Sequence, residues 1–202
     1  GVTIWLCNMV EGDTPMEYVE ALRDLKDIKS MKRVLKKHSE RDYVLFVLGI
    51  NTGLKLTEML SLQVQDVMTG DEVHNYLYVV QKDGFPNKEV YLNEQVKKAI
   101  KHYVQNQRLG AEKYLFASVK TKLPVSRQQA YRIIHDAAIE VGIKGKVGPN
   151  SMRKTYGYHA YKKGVAISLL QKYFHHATRG ETLKYIGIEK DEIIKTEIDV
   201  NL

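Results

Sequence analysis

Gly148-Pro149-Asn150-Ser151-Met152-Arg153-Lys154-Thr155 is the stretch from which the interpretation of this chain starts. His176 follows a short apolar segment further on, and Tyr185 lies nine residues after it. A guanidinium, an imidazole and a phenol can together carry out phosphoryl transfer without a metal. The phenol attacks a phosphodiester, the guanidinium binds the charged equatorial oxygens, and the imidazole handles protons or charge.

Two further blocks extend the pattern toward the N-terminus. The first is Asn51-Thr52-Gly53-Leu54-Lys55-Leu56-Thr57-Glu58-Met59-Leu60-Ser61-Leu62. The second is Gln81-Lys82-Asp83-Gly84-Phe85-Pro86-Asn87-Lys88-Glu89-Val90, in which turn residues separate two segments rich in β-branched and aromatic side chains. That composition predicts a β-hairpin with Lys82 near its turn.

In order and spacing, the three blocks resemble the tyrosine recombinase (phage integrase) family. The family pattern has Thr-Gly-Leu-Arg-x-Ser-Glu-Leu-x-x-Leu, a hairpin lysine, His-x-x-Arg, a Leu-Gly-His-like step and a tyrosine nine residues later. The likeness extends from about Asp24 to Tyr185. It implies a mainly α domain with a small antiparallel β-sheet, of the recombinase catalytic-domain type.

The resemblance also implies a role for each of the residues that match. Tyr185 would attack the scissile phosphate and form a 3′-phosphotyrosyl bond, so that strands are rejoined without a cofactor or metal. Arg153 would bind the phosphate, and His176 would hydrogen-bond a non-bridging oxygen, with His175 as its competitor. Lys82 would protonate the 5′-hydroxyl leaving group, and Lys88 is the alternative lysine.

Two positions depart from the family pattern. Lys55 stands where the first block has arginine, and it keeps the charge but loses the planar fork. Asn150 stands where His-x-x-Arg has histidine, and an amide cannot act as a base near pH 7. The sequence therefore predicts a site-specific DNA recombinase or integrase. The alternative is a catalytically weak or inactive relative that binds DNA as a regulatory or architectural protein.

Composition limits the other possibilities. The chain has 202 residues, 44% hydrophobic and 27% charged, which is typical of one globular domain. Its 31 Lys and Arg against 24 Asp and Glu give a net charge of +7, which suits double-stranded DNA. Cys7 is the only cysteine, no segment has the apolar length of a membrane span, and no metal-ligand spacing is evident. We expect a cytoplasmic protein.

The elements follow from caps and periodicity. Helices are predicted from about residue 14 to Leu22, over the lysine-rich segment around 28–37, and at 39–48, 57–62, 93–104, 126–141, 150–163, 167–175 and 179–186. Asn150 is predicted to cap the helix that carries Arg153. We expect an appendage over 1–23, a catalytic domain over 24–187, and a tail over 188–202. The tail would dock on a neighbouring subunit in a dimer or tetramer, or fold back on its own domain.

Overall fold

The computed structural model describes residues 18–81, 84–189 and 199–201 of the chain. Helices make up most of the described residues, and the strands form two small antiparallel sheets, so the predicted fold class is confirmed. The helices are α1 (Leu25–His38), α2 (Glu40–Thr52), α3 (Leu56–Leu60), α4 (Val64–Val67), α5 (Glu94–Gln107), α6 (Arg127–Val141), α7 (Pro149–Lys162), α8 (Ile167–Phe174) and α9 (Arg179–Ile186).

Helix boundaries follow from local capping chemistry. The side chains of Asn93 and Ser126 accept backbone N–H groups at the starts of α5 and α6, as their sequence positions predict. Gly53 and Gly142 end α2 and α6 in the left-handed conformation, where a residue without Cβ is favoured. These signals fix where each of these helices begins or ends. Helices α7, α8 and α9 follow one another closely along the chain.

Two hairpins make up the β-structure. Strands β1 (Met68–Thr69) and β2 (Glu72–Val73) form the first, which the sequence did not reveal. Strands β3 (Tyr76–Val79) and β4 (Lys88–Tyr91) form the second, with Leu77 opposite Val90. Its buried residues alternate with exposed ones, so one face packs on the domain.

Helix α2 is the centre of the core. It is apolar nearly all round and packs against α1, α5 and α7. The approach to α7 is close, because a Cβ on Gly49 would lie 2.7 Å from the Met152 sulfur. A second apolar cluster joins α8 to α9, and Gly157 of α7 lets Phe174 and Ile186 approach its backbone. Helices α8 and α9 are thereby packed against α7.

Two local predictions were wrong. Residues 18–22 are not helical; they pass over α7 in an irregular path, where the Leu22 N–H donates to Thr155 Oγ1 at 2.8 Å. Asn150 is not the cap of α7, because Gly148 occupies that position, Pro149 begins the helix and Asn150 follows in its first turn. None of the helices in the described ranges is long and apolar enough to cross a membrane.

Candidate active site

Arg153 is the centre of the candidate site. It lies one turn inside α7 and is only 7% exposed. Its Nη1 donates to the Gly53 carbonyl at 2.9 Å, and its guanidinium carbon lies 4.7 Å above the centre of the Phe174 ring. Within the described residues this is the one hydrogen bond of a group that carries five N–H donors. The remaining donors are the ones that an oxyanion would use.

The backbone of the first block holds this arginine in place. Gly53 has a φ of 66°, and a Cβ there would lie 2.3 Å from Cδ1 of Tyr156. The hydroxyl of Tyr173 donates to the carbonyl of Thr52, one residue earlier. Burial raises the pKa of Tyr173, so its phenol stays protonated and remains a donor. Two consecutive carbonyls at the end of α2 are thus bound by α7 and α8.

Lys88 is a second cation of the site. Its Nζ lies 3.6 Å from Glu58 Oε1 and 4.6 Å from the centre of the Tyr173 ring. Within the described part of the chain this buried amine has no hydrogen-bond partner. Burial lowers the pKa of Lys88; Glu58 raises it, while the charges of Arg153 and Lys55 lower it. Lys55 itself is exposed at the start of α3, where its N–H donates to Glu58.

The two adjacent histidines have different surroundings. His176 Nδ1 lies 2.9 Å from Thr182 Oγ1, and its ring is 5.6 Å from Phe174. Burial lowers the pKa of His176; Glu181 raises it and Arg153 lowers it. His175 instead has its ring 3.9 Å from the Phe85 ring, in the loop of the second hairpin. Arg153 and His176 therefore both border Phe174, on the same side of the domain.

Tyr185 is held behind His176. The two rings are 5.0 Å apart and nearly perpendicular, and Phe174 lies 5.3 Å from the tyrosine ring. The Nζ of Lys154 lies 5.0 Å from the centre of the Tyr185 ring and donates to the Val19 carbonyl at 2.9 Å. Lys154 is buried, so it connects the segment before α1 to the face of Tyr185.

Two cavities lie beside these residues, one next to the histidines and Lys88 and one next to Tyr185. One of about 1200 Å³ lies between the second hairpin and α8, and its lining includes Lys88, Tyr173, His175 and His176. The other, of about 720 Å³, is lined by Tyr185 and by the segment before α1. His176 lies at the boundary, because it lines the first cavity and contacts the tyrosine of the second.

The structure brings together most of the predicted residues. The charges of Arg153 and Lys55 act on Lys88, and the charge of Arg153 also acts on His176, so these four side chains lie near one another. Tyr185 adjoins them through its contact with His176. Asn150 is partly buried one helical turn before Arg153. Lys82, the predicted general acid, lies outside the described residues. The catalytic role of each of these residues remains a prediction.

Sequence reasoning missed several groups that build the site. The Glu58 carboxylate, the Tyr173 phenol, the Phe85 ring and the buried Lys154 amine were not singled out. Glu58 belongs to the quoted first block, which was the available signal for it. The described residues contain no group of three His, Cys, Asp or Glu side chains that could hold a metal ion.

A helical domain that brings a buried arginine, two lysines, a histidine and a neighbouring tyrosine close to one another defines the class of tyrosine recombinase catalytic domains. Residues 20–192 match the family model described as "Phage integrase family", and the chain belongs to that family. The family predicted from the three sequence blocks is confirmed.

Individual relatives agree with this result. The chain is 36% identical over 176 residues to the probable integrase/recombinase YoeC of Bacillus subtilis (strain 168), covering 87% of this chain and 93% of the relative. Among solved structures, XerA recombinase superposes with a TM-score of 0.70 at 20% identity, over 92% of this chain and 65% of that one. XerH recombinase bound to its difH substrate gives 0.67 at 16%, over 93% and 56%. The chain thus spans about two thirds or less of these two recombinases.

Proposed function

We propose that this chain is a site-specific DNA recombinase or integrase that cuts and rejoins DNA through a 3′-phosphotyrosyl intermediate. The observation that carries the proposal is that Lys88 and His176 line one cavity, that the charge of Arg153 acts on both, and that Tyr185 contacts His176. Membership of the phage integrase family supports it, as does the name of the relative YoeC.

In this mechanism Arg153 binds the non-bridging oxygens of the scissile phosphate. Its guanidinium already has a fixed orientation from Gly53 and Phe174, so little reorganisation is needed when charge develops. The Tyr185 oxygen forms a bond to phosphorus as the bond to the 5′ oxygen breaks, and the phenol proton passes to solvent. His176 is kept neutral at pH 7 by burial and can hydrogen-bond a phosphate oxygen.

The lysines have separate roles in the proposal. Lys82 is the general acid that protonates the departing 5′ oxygen. Lys88 pairs with Glu58 and adds positive charge beside Arg153. Lys55 supplies a further cation without the geometry of an arginine, and Asn150 can hydrogen-bond the phosphate without accepting a proton. The crowding of cations favours cleavage over the non-cleaving alternative, since it suits a transition state that gains negative charge.

We propose double-stranded DNA as the partner and self-association as a dimer or tetramer on it. The net charge of +7 and the lysine-rich α1 support the first, as does the likeness to a recombinase solved with its DNA substrate. The proposed organisation remains an appendage over 1–23, a catalytic domain over 24–187, and a tail over 188–202 that docks on a neighbouring subunit. Most of that tail lies outside the described residues.

The test is a nicked suicide substrate built on the protein's own recombination site. The wild-type protein should form a covalent protein–DNA adduct that survives denaturing electrophoresis. Tyr185→Phe should form none, while its affinity for the same DNA stays almost unchanged, because only the attacking oxygen is lost. Tyr161→Phe, which removes the hydroxyl of a partly buried tyrosine in α7, is the matched control. A wild-type protein that binds this site and forms no adduct would establish the DNA-binding alternative instead.

A further inference from the structure

We propose that His175 is a second imidazole of the active site, which contacts the scissile phosphate beside Arg153. The inference rests on the proposed function, because it assigns a further residue to the same reaction. It gives the two adjacent histidines different roles. His176 contacts Tyr185, while His175 faces the cations that would hold the phosphate.

The backbone at His175 is the first observation. This residue ends α8 with φ 59° and ψ 41°, in the left-handed region that glycine adopts most readily. A non-glycine residue is strained in that conformation. The conformation turns the chain between α8 and α9 and directs the ring of His175 toward the second hairpin, where it meets Phe85 at 3.9 Å.

The second observation is an unused polar atom. Nε2 of His175 is buried and has no hydrogen-bond partner among residues 18–81, 84–189 and 199–201. A buried polar group without a partner is destabilising and rare in folded proteins, so this nitrogen calls for an explanation such as a bound ligand. Nδ1 of His176, by contrast, is hydrogen-bonded to Thr182. Of the two imidazoles, His175 is therefore the one with an unbonded buried nitrogen in the cavity.

The third observation is the charge around that atom. The groups that act on His175 are Lys55 and Glu58 of α3, Lys88 of β4 and Arg153 of α7. Three cations against one carboxylate leave net positive charge, which a phosphate would offset. Burial lowers the pKa of His175, and the three cations lower it further. The imidazole is then neutral at pH 7 and has one nitrogen to donate a hydrogen bond to a phosphate oxygen.

Position 175 allows a test that spares the fold. His175→Gly removes the ring and suits the left-handed backbone, and His175→Asn keeps a short hydrogen-bonding side chain that also tolerates this conformation. We expect His175→Gly to lower the rate of adduct formation at saturating DNA about 10²-fold, the usual effect of losing one donor at an oxyanion. The rate of His175→Asn should lie between those of the wild type and His175→Gly. DNA affinity should change little, because most phosphate contacts remain.

The matched control is Arg108→Gly. Arg108 ends α5 with φ 51°, so the same backbone relief occurs at an exposed helix end. Its adduct rate should equal that of the wild type. Free imidazole added to His175→Gly should restore part of the lost rate, because the vacated space beside Phe85 accepts the ring. Restoration of this kind would not follow if His175 only shaped the turn.

Two results would overturn the inference. One is a wild-type adduct rate in His175→Gly; the other is a reduced rate that imidazole leaves unchanged and that accompanies a lower melting temperature. Either leaves the proposed recombinase activity intact, since the wild-type protein still forms its adduct through Tyr185. Failure of the wild-type adduct itself would instead remove the proposed function.

Discussion

The helical side of the candidate site and its hairpin side are held in different ways. On the helical side, the Arg153 guanidinium is bonded to Gly53 and the Tyr173 hydroxyl to Thr52, all among buried or partly buried residues. On the hairpin side, Phe85 is 47% exposed and reaches the site by one ring contact with His175. Lys88 adds an ion pair at 3.6 Å without a hydrogen bond.

This difference suggests that the two sides have different tasks in binding the substrate. On the helical side the Arg153 guanidinium is already held by Gly53 and Phe174, so in the proposed reaction its contribution to phosphate binding requires little ordering when DNA arrives. The contacts described for the hairpin side are a ring contact, an ion pair and a cation–π contact, with no hydrogen bond among them, and contacts of this kind are easily exchanged for others. We infer that the hairpin adjusts to the substrate while the helices stay fixed.

Arg153→Lys should give the largest effect of these tests. A small effect would contradict the comparison of the helical side with the hairpin side. Lysine keeps the charge but cannot bond Gly53 and a phosphate with one planar group. We expect the rate of adduct formation at saturating DNA to fall roughly 10²–10³-fold. Arg132→Lys, on an exposed position of α6, should leave it unchanged. An equal rate in the Arg153 variant would mean that the buried guanidinium is structural only.

A pair of glycine substitutions compares the two sides directly. Gly53→Ala forces a Cβ into Tyr156 at a φ of 66°, and we expect a loss of about 2–4 kcal/mol in the free energy of unfolding. Gly84→Ala, at a φ of 77° in the hairpin loop, meets no atom within 4 Å in the part of the chain that the structure describes. It should cost only about 1 kcal/mol, from the backbone alone. Urea denaturation measures both, and equal losses would contradict the assignment of rigidity to the helical side.

Acidification should produce the smallest effect. The pKa values of His175 and His176 are lowered in the folded protein, so below pH ~6.5 the unfolded chain binds more protons. Their contribution to stability is present above that pH and is lost as pH falls through the folded values. Thermal denaturation between pH 7 and 5 should therefore show a shallower loss in His175→Asn and in His176→Asn than in the wild type. An unchanged slope in both variants would contradict these shifts.

Much of this arrangement could be predicted from the sequence because the signals are local. Asn93 and Ser126 mark helix starts by their own side chains, and Gly142 marks a helix end. The turn residues between β3 and β4 predict the hairpin without knowledge of its surroundings. Arg153, His176 and Tyr185 were identified by spacing, and their proximity follows from three consecutive helices.

The remaining features depend on contacts distant in sequence. Nothing near Gly53 indicates that its carbonyl binds an arginine 100 residues later, and nothing near Phe85 indicates that its ring meets His175. The segment 18–22 has helix-start chemistry before it, yet its backbone bonds to α7 and to Lys146 instead. Tertiary contacts outweighed local propensity there.

The acceptor for Arg153 is a main-chain oxygen, and this affects how the family member can diverge. The bond does not involve the side chain of the exposed Lys55, so an exchange at position 55 leaves the guanidinium bonded to Gly53 as long as the chain follows the same path. The first block's cation can then be lysine or arginine without a change in the hydrogen bond that Arg153 makes. Lys55 in place of arginine is a change that this architecture tolerates structurally, so selection on the chemistry alone decides whether it persists.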